Sequence, residues 1–502
     1  MSATPHIELD WIGRWTVYAP QKVALRSIET GEQLTYRELY RLVEQMAAVL
    51  RRDYGVQHGD RVAVLAQNRI AYVALFFALQ RLGAILLPLN YRLAVPELAF
   101  QLQDATPALL IHDADYQDAA EALADHLPAR TSFDAFVADA QAVAEPPTTT
   151  VAAQFEDACM ILYTSGTTGR PKGALITHQM LFWNSVNTGL RLNLTQDEVI
   201  LTFAPFFHTG GWNVLTTPVL HRGGTVILLK KFDADAILRL SDAESATILF
   251  GVPTMMQMMA DAPSFASCSL ASIRYAIVGG EPMPLGLIEQ WNAKGVPIRQ
   301  GYGLTEFGPN VFSLNEEDAV RKIGSVGFAN FYIDIKIVDE QDREVGVDEV
   351  GELLLKGPVC TPGYWNNPEA TRATIQDGWL RTGDLVRRDA EGYVYIVDRK
   401  KDMFISGAEN VYPAEVEHVL RAHAAIKEAA VVGVADERWG EVGHAFYATT
   451  DGTPLAIEAL KRFCQANLAK FKVPKHFTHL PELPKSASGK IQKRDLIHQN
   501  RS

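Results

Sequence analysis

The chain has 502 residues, 47% of them hydrophobic and 21% charged, which is enough apolar content for a large buried core and for more than one domain. Its 59 acidic residues outnumber its 47 basic ones, and the net charge of −12 excludes a broad basic footprint for nucleic acid. Four widely separated cysteines, Cys159, Cys268, Cys360 and Cys464, form no CxxC pair and have no histidines at zinc spacing, so reduced thiols in a cytoplasmic protein are expected, not disulfides or structural zinc.

The N-terminus, "MSATPHIELDWIGRW", lacks a basic region followed by an apolar run, so no signal peptide is expected. No apolar stretch reaches the roughly 20 residues that span a bilayer, which leaves peripheral membrane contact open. "TYRELYRLVEQMAAVLRR" predicts a helix with Leu39, Leu42, Met46 and Leu50 on one face and Thr35 as N-cap. "GDRVAVLAQN" predicts a strand, "AYVALFFALQRLGAILLPL" a buried helix leading into a strand, and "PALLIHD" a further short strand. Strands and helices in alternation predict parallel sheets with covering helices. Residues 114–156 are rich in Ala, Asp and Pro and read as a loose connection.

Four later segments share one pattern, an apolar strand running into a Gly- or Pro-rich turn: "DACMILYTSG", "ATILFGVPTMMQMMA", "IRYAIVGGEPMP" and "IRQGYGLTE". Ligands of open α/β sheets sit at the carboxyl ends of strands, so these turns are expected to share one crevice. From Ile333 to Val397 short alternating strands predict a small β-rich subdomain. "DRKKDMFISG" breaks that pattern, and about a hundred residues of mixed helix and strand follow. Pro413 and Pro454 are each expected in the first turn of a helix. The domain division expected is 1–400 and 401–502.

"YTSGTTGRPKG", Tyr163 to Gly173, combines three glycines with four Ser/Thr hydroxyls from Thr164 to Thr168 and two cations. Glycines let backbone N–H groups converge on an anion, and hydroxyls add donors. It is not a Walker A loop, because Pro171 stands five residues after Gly166 where the second glycine is required. A Rossmann fingerprint fails as well, since Glu306 takes the third glycine's place in "GYGLTE". Taken alone, the stretch reads equally well as a phosphate loop or a surface turn.

Four further segments, in order, are "QGYGLTE" (Gln300–Glu306), "WLRTGDL" (Trp379–Leu385), "DRKKDMFISGAENVYPAEVE" (Asp398–Glu417) and "PKSASGKIQK" (Pro484–Lys493). Together with Tyr163–Gly173 they resemble the signatures of the adenylate-forming superfamily, which comprises acyl-CoA synthetases, luciferases and the adenylation domains of peptide synthetases. The resemblance covers nearly the whole chain. It implies an α/β fold with a large N-terminal domain of parallel sheets, a β-rich subdomain and a small mobile α+β C-terminal domain. It also implies ATP, Mg²⁺ and coenzyme A as cofactors and a small carboxylic acid as substrate.

Residue by residue, the resemblance implies a nucleotide site of Thr164, Ser165, Gly166, Thr167, Thr168, Gly169, Lys172, Gly280, Glu281, Pro282, Gln300, Gly301, Tyr302, Gly303, Asp384 and Arg399. Asp384 suits the two ribose hydroxyls, Tyr302 can stack on adenine, and Thr305 can bind a phosphate oxygen. Glu306, a hard oxygen donor, suits Mg²⁺ together with Thr164. Lys490 matches the lysine that bridges the acid carboxylate and the α-phosphate, where two anions must meet and charge grows on the phosphoryl oxygens. Lys401 matches the hinge about which the C-terminal domain rotates. Ser406, Gly407, Ala408 and Glu409 are implied on the coenzyme A side. His208 matches a position at the acyl site, and Trp212, Val252, Gly279, Gly301 and Phe307 are candidate acyl-pocket residues.

Phe207, His208 and Thr209 offer no carboxylate for a substrate ammonium, which argues against an amino-acid adenylation domain. No Ser-bearing carrier segment is seen, so free coenzyme A is the expected acceptor. The segment "HTGGWN…LTTP" resembles bacterial fatty-acyl-CoA synthetases, and a medium- or long-chain fatty acid is the expected substrate. Similar segments in hydroxycinnamate-type ligases make an aromatic acid the alternative. Delivery to a carrier protein, or a non-catalytic ATP sensor against which Lys490 speaks, are further readings. A homodimer stays open.

Overall fold

A computed structural model describes residues 9–146, 151–164, 171–280, 283–406, 409–436, 439–485 and 490–499. The chain divides into two compact units, Met1–Ile335 with Leu355–Leu380, and Lys336–Leu354 with Arg381–Ser502.

The first unit is built on two sheets. In one, the strands Val23–Ser27, Thr225–Leu228, Val199–Thr202, Ile248–Gly251, Tyr275–Val278 and Ile298–Tyr302 run parallel side by side, with antiparallel additions at both ends. In the other, Arg130–Ser132, Leu109–His112, Arg61–Leu65, Ile85–Pro88 and Ala158–Thr164 run parallel, and Lys172–Thr177 folds back antiparallel on the last. Helix Tyr36–Tyr54 starts at Thr35 with a full capping box, the hydroxyl and Glu38 satisfying each other's backbone N–H groups. Every residue of helix Ile70–Leu82 is buried, as its unbroken apolar run requires.

Within the stretch 114–156, the described part 114–146 is more ordered than its composition suggests. It holds the helices Gln117–Ala122 and Phe133–Gln141 and the edge strand Arg130–Ser132. Ser132 caps the second helix, whose Phe133, Phe136 and Ala140 fall on one buried face. Three apolar anchors suffice there, although the surrounding Ala and Asp hide the period.

In the second unit the strands Glu409–Val411, Phe404–Ser406, Gly440–Thr449 and Ile426–Asp436 form a sheet, joined by His476–His479. Helices Pro413–Arg421 and Ile457–Asn467 cover it, burying Val416, Leu420, Leu460 and Cys464. Pro413 does occupy the first helical position. Pro454 does not: its helix begins only at Ile457, because the Tyr447 hydroxyl engages both the N–H and the C=O of Leu455, each at 3.2 Å. The β-rich segment is present as Asp334–Val338, Gly351–Lys356, Trp379–Arg388 and Val394–Arg399. All four cysteines are free, and three of them are buried. Among the described residues no helix is long and apolar enough to cross a membrane.

Candidate active site

In the first unit the two feet of the Tyr163–Gly173 stretch are held firmly. The Tyr163 hydroxyl donates to Asp104 Oδ2 at 2.5 Å. The Trp365 N–H donates to the Gly173 carbonyl at 2.7 Å, and its indole N–H to the Asp104 carbonyl at 3.0 Å. Ser165, Gly166, Thr167, Thr168 and Gly169 lie outside the described residues, as do Glu281, Pro282, Gly407 and Ala408.

Glu306 is the meeting point of this region. Its Oε1 accepts from the Thr164 hydroxyl at 3.3 Å and from the Tyr364 hydroxyl at 3.0 Å. Its carbonyl accepts from the Thr361 N–H at 2.8 Å. The Lys172 ammonium lies over the Tyr364 ring, 5.3 Å from its centroid. Burial, with the Glu306 carboxylate beside it, holds the Tyr364 phenol well above its ordinary range, so it stays a donor at any working pH. The region thus gathers a carboxylate, two hydroxyls and an ammonium. Thr164 and Glu306 are a hard oxygen pair that fits a magnesium ion sharing its remaining positions with phosphate. Tyr364 and Asp104 are missing from the sequence-derived set.

Three of the four Gly- or Pro-rich turns emerge from adjacent parallel strands, while the Tyr163–Gly173 stretch leaves the last parallel strand of the other sheet. Gly251 is in register with Val278, and Val278 with Gln300, so Val252, Gly279 and Gly301 follow one another across the sheet's carboxyl edge. Gln300 is buried and fixes the turn, accepting from the Met283 N–H at 3.1 Å and donating to the Val278 carbonyl at 3.2 Å. Gly280 has φ of +89°, which favours glycine. At Gly303 a Cβ would lie 2.1 Å from the Pro309 carbonyl oxygen, so no larger residue fits. Tyr302 ends its strand with its ring 5.8 Å from that of Phe312, and Thr305–Phe307 form a single 3₁₀ turn that presents Glu306.

Beside these turns, Phe203, Gly210, Gly211, Thr216 and Phe250 line a small cavity. Half-buried His208 begins the short Thr209–Asn213 helix, its N–H donating to the Pro205 carbonyl. Trp212 belongs to the core and not to the pocket surface. It is fully buried, its indole is stacked on Phe206 at 4.1 Å, and its N–H donates to the Phe206 carbonyl at 2.7 Å. Phe307 is likewise fully buried.

In the second unit Asp384 and Arg399 are cross-strand partners, and the Arg399 Nε lies 2.5 Å from the nearly buried Asp384 Oδ1. The guanidinium is half exposed, so the pair presents a fixed acceptor beside a reachable cation. Lys401 is exposed in the turn after Arg399, Ser406 is buried, and Glu409 is exposed. Exposed Lys490 directly precedes Ile491, which bridges back to Lys485.

Comparisons with known proteins identify the family. Residues 14–365 match the AMP-binding enzyme family, and residues 415–490 match the AMP-binding enzyme C-terminal domain. A feruloyl-CoA synthase from Amycolatopsis sp. is 41% identical, with 97% of this chain and 98% of that protein covered. An indoleacetate–CoA ligase from Aromatoleum aromaticum is 39% identical, covering 97% of each. A long-chain-fatty-acid–CoA ligase from Mycobacterium tuberculosis is 36% identical over 96% of each. Among solved structures, ATP-bound MatB from Rhodopseudomonas palustris superposes with a TM-score of 0.91 at 32% identity, covering 99% of both chains. An o-succinylbenzoate CoA synthetase from Bacillus subtilis in complex with ATP and magnesium ion superposes at 0.87, with 32% identity over 97% of this chain and 99% of that one. The chain therefore belongs to the AMP-binding enzyme family of the adenylate-forming superfamily, as an AMP-forming acyl-CoA synthetase.

Proposed function

We propose that the chain ligates an aromatic carboxylic acid of the hydroxycinnamate class to coenzyme A at the expense of ATP. The observation that carries the aromatic choice is the identity of its relatives: 41% to a feruloyl-CoA synthase and 39% to an indoleacetate–CoA ligase, against 36% to a long-chain-fatty-acid–CoA ligase. This moves the substrate away from the fatty acid that the "HTGGWN" resemblance suggests.

In the first step a carboxylate oxygen attacks the α-phosphorus, and pyrophosphate leaves. Lys490 meets both anions as a compact point charge. Lys172 and the hydroxyls of the Tyr163–Gly173 stretch hold the β- and γ-phosphates. Thr164 and Glu306 would hold a magnesium ion, which supplies charge neutralisation at the phosphates. Asp384 accepts from the ribose hydroxyls beside Arg399, and Tyr302 stacks on adenine. In the second step the coenzyme A thiol, giving up its proton, attacks the acyl carbon and AMP leaves. Between the steps the segment after Lys401, residues 401–502, rotates, withdrawing Lys490 and bringing Ser406–Glu409 toward the thiol.

Pyrophosphate release and thioester formation with cinnamic, 4-hydroxycinnamic, ferulic, indoleacetic, decanoic and palmitic acids test the substrate. Highest kcat/KM on the hydroxycinnamates is expected. Turnover of only the aliphatic acids refutes the aromatic choice, and acyl-adenylate without a coenzyme A thioester refutes the acceptor.

A further inference from the structure

Lys493 stands three residues after Lys490 and opens the helix Lys493–Gln499. A cation at a helix N-terminus is the sign that the helix dipole disfavours, so local helix stability does not account for it. Its ammonium lies 2.7 Å from Glu417 Oε1, with both side chains largely buried. The same Glu417 oxygen accepts from the Val431 N–H at 2.8 Å, which ties the pair to the central sheet of the second unit. Two more carboxylates, Asp398 and Asp402, add to the field at Lys493. Asp398 is itself stapled in place, accepting from the Arg399 N–H at 2.7 Å and, at the start of helix Pro413–Arg421, from the Ala414 N–H at 2.8 Å.

The segment that carries Lys490 is pinned at both feet. On its N-terminal side Lys485 pairs with Glu428 at 2.5 Å and forms a bridge with Ile491, while the Gln492 N–H donates to the Pro484 carbonyl at 2.7 Å. Apolar contacts of Leu483, Ile491 and Leu496 with Ala430, Val432 and Phe446 hold its inner side. These contacts seat the segment on the sheet. The Lys493 pair links it to helix Pro413–Arg421 and, through that helix, to the linker that leads back to Lys401. A buried ion pair adds little stability over an apolar pair of the same volume, but it holds one geometry and rejects others.

We propose that Lys493 is a positioning residue for adenylation: held by Glu417 and facing Asp398, it sets where Lys490 stands relative to the linker. The inference rests on the reading of Lys490 as the cation of the first step. That reading makes a sharp distinction, because displacing Lys490 harms acyl-adenylate formation and leaves thioester formation alone.

The test uses the full chain carrying Lys493→Met, Lys493→Arg, Glu417→Gln or Lys490→Ala, with the acid turned over best by the wild type. Adenylation is read as pyrophosphate release with hydroxylamine as acceptor. Thioester formation is read from the preformed acyl-adenylate of that acid and coenzyme A. Lys493→Met is expected to lower the adenylation kcat by roughly 10- to 100-fold, the scale of a misplaced catalytic group. The KM for ATP and the thioester half-reaction should stay within about twofold, and Lys493→Arg should restore most of the loss. Glu417→Gln, which keeps the shape of its partner, should show a smaller loss in adenylation alone. Equal losses in both half-reactions, or no loss in adenylation, overturn the inference. If Lys490→Ala kills adenylation while Lys493→Met and Glu417→Gln spare it, the inference fails alone. If Lys490→Ala leaves adenylation intact, the reading beneath it fails as well.

Discussion

Tyr364→Phe removes one atom from the candidate site and leaves the rest in place. The ring that lies beneath Lys172 at 5.3 Å is kept, so the cation–π contact and the packing survive. What goes is the hydroxyl that donates to Glu306 Oε1 at 3.0 Å, leaving the Thr164 hydroxyl at 3.3 Å to orient that oxygen. A hydrogen bond to a charged group is worth about 1.5–3 kcal/mol, and the half-buried setting favours the lower figure. About 1.4 kcal/mol corresponds to tenfold, so kcat/KM for ATP should fall about tenfold. Initial rates of pyrophosphate release against ATP at saturating Mg²⁺ read this directly, with melting temperature as the control. Thioester formation from the preformed acyl-adenylate should hardly change. An unchanged kcat/KM for ATP, or an equal loss in the thioester step, would refute the claim that Tyr364 acts by orienting Glu306.

Gly303→Ala places a Cβ against the Pro309 carbonyl and must displace the Tyr302–Glu306 turn, so ATP-dependent turnover should fall by more than about tenfold, as measured by pyrophosphate release. Asp384→Asn removes the charge that pairs with Arg399; the KM for ATP should rise by roughly tenfold, seen in the same assay, because one charge-assisted acceptor is lost. Acid should destabilise the fold through two buried histidines. Burial pushes both His178 and His221 down to about 4 from the usual 6.5, partly opposed by Asp157 at His178 and reinforced by Arg222 at His221. The unfolded chain takes up these protons below pH 6.5 and the folded chain only near 4, so stability is complete above 6.5 and falls as pH drops toward 4. At pH 5 the loss is about 2 kcal/mol per histidine. Denaturant midpoints between pH 7 and 5 measure it, and a His178→Gln variant should show a flatter profile.

Sequence reading succeeds where function depends on short-range pattern. An apolar run ending in glycine is a strand that stops where the backbone must turn tightly, and Gly251, Val278 and Gln300 are in register across three such strands. Thr164 ends one such strand and Glu306 lies shortly beyond another; the resemblance to family segments singles both out, and in the structure they lie within 3.3 Å although 142 residues apart. Tyr364 is not legible in that way. It stands just after the Pro362–Gly363 pair, beyond the strand Gly351–Lys356 and outside the recognised segments, and it reaches Glu306 from 58 residues away because its neighbour Trp365 pairs with Gly173. Asp104 is hidden for the same reason, being the end of an ordinary amphipathic helix whose carboxylate happens to meet Tyr163. Trp212 errs in the opposite direction. Its neighbours His208 and Gly210 lie in a motif-like segment, but on the short helix Thr209–Asn213 one side faces the cavity and the other faces the core, so adjacent residues part company. A motif identifies a loop; which of its side chains reach the chemistry is decided by what packs behind it. That is why the most informative variants now lie outside the motifs, at Tyr364 and Lys493. There a change of a few atoms tests how the recognised residues are held without removing any of them.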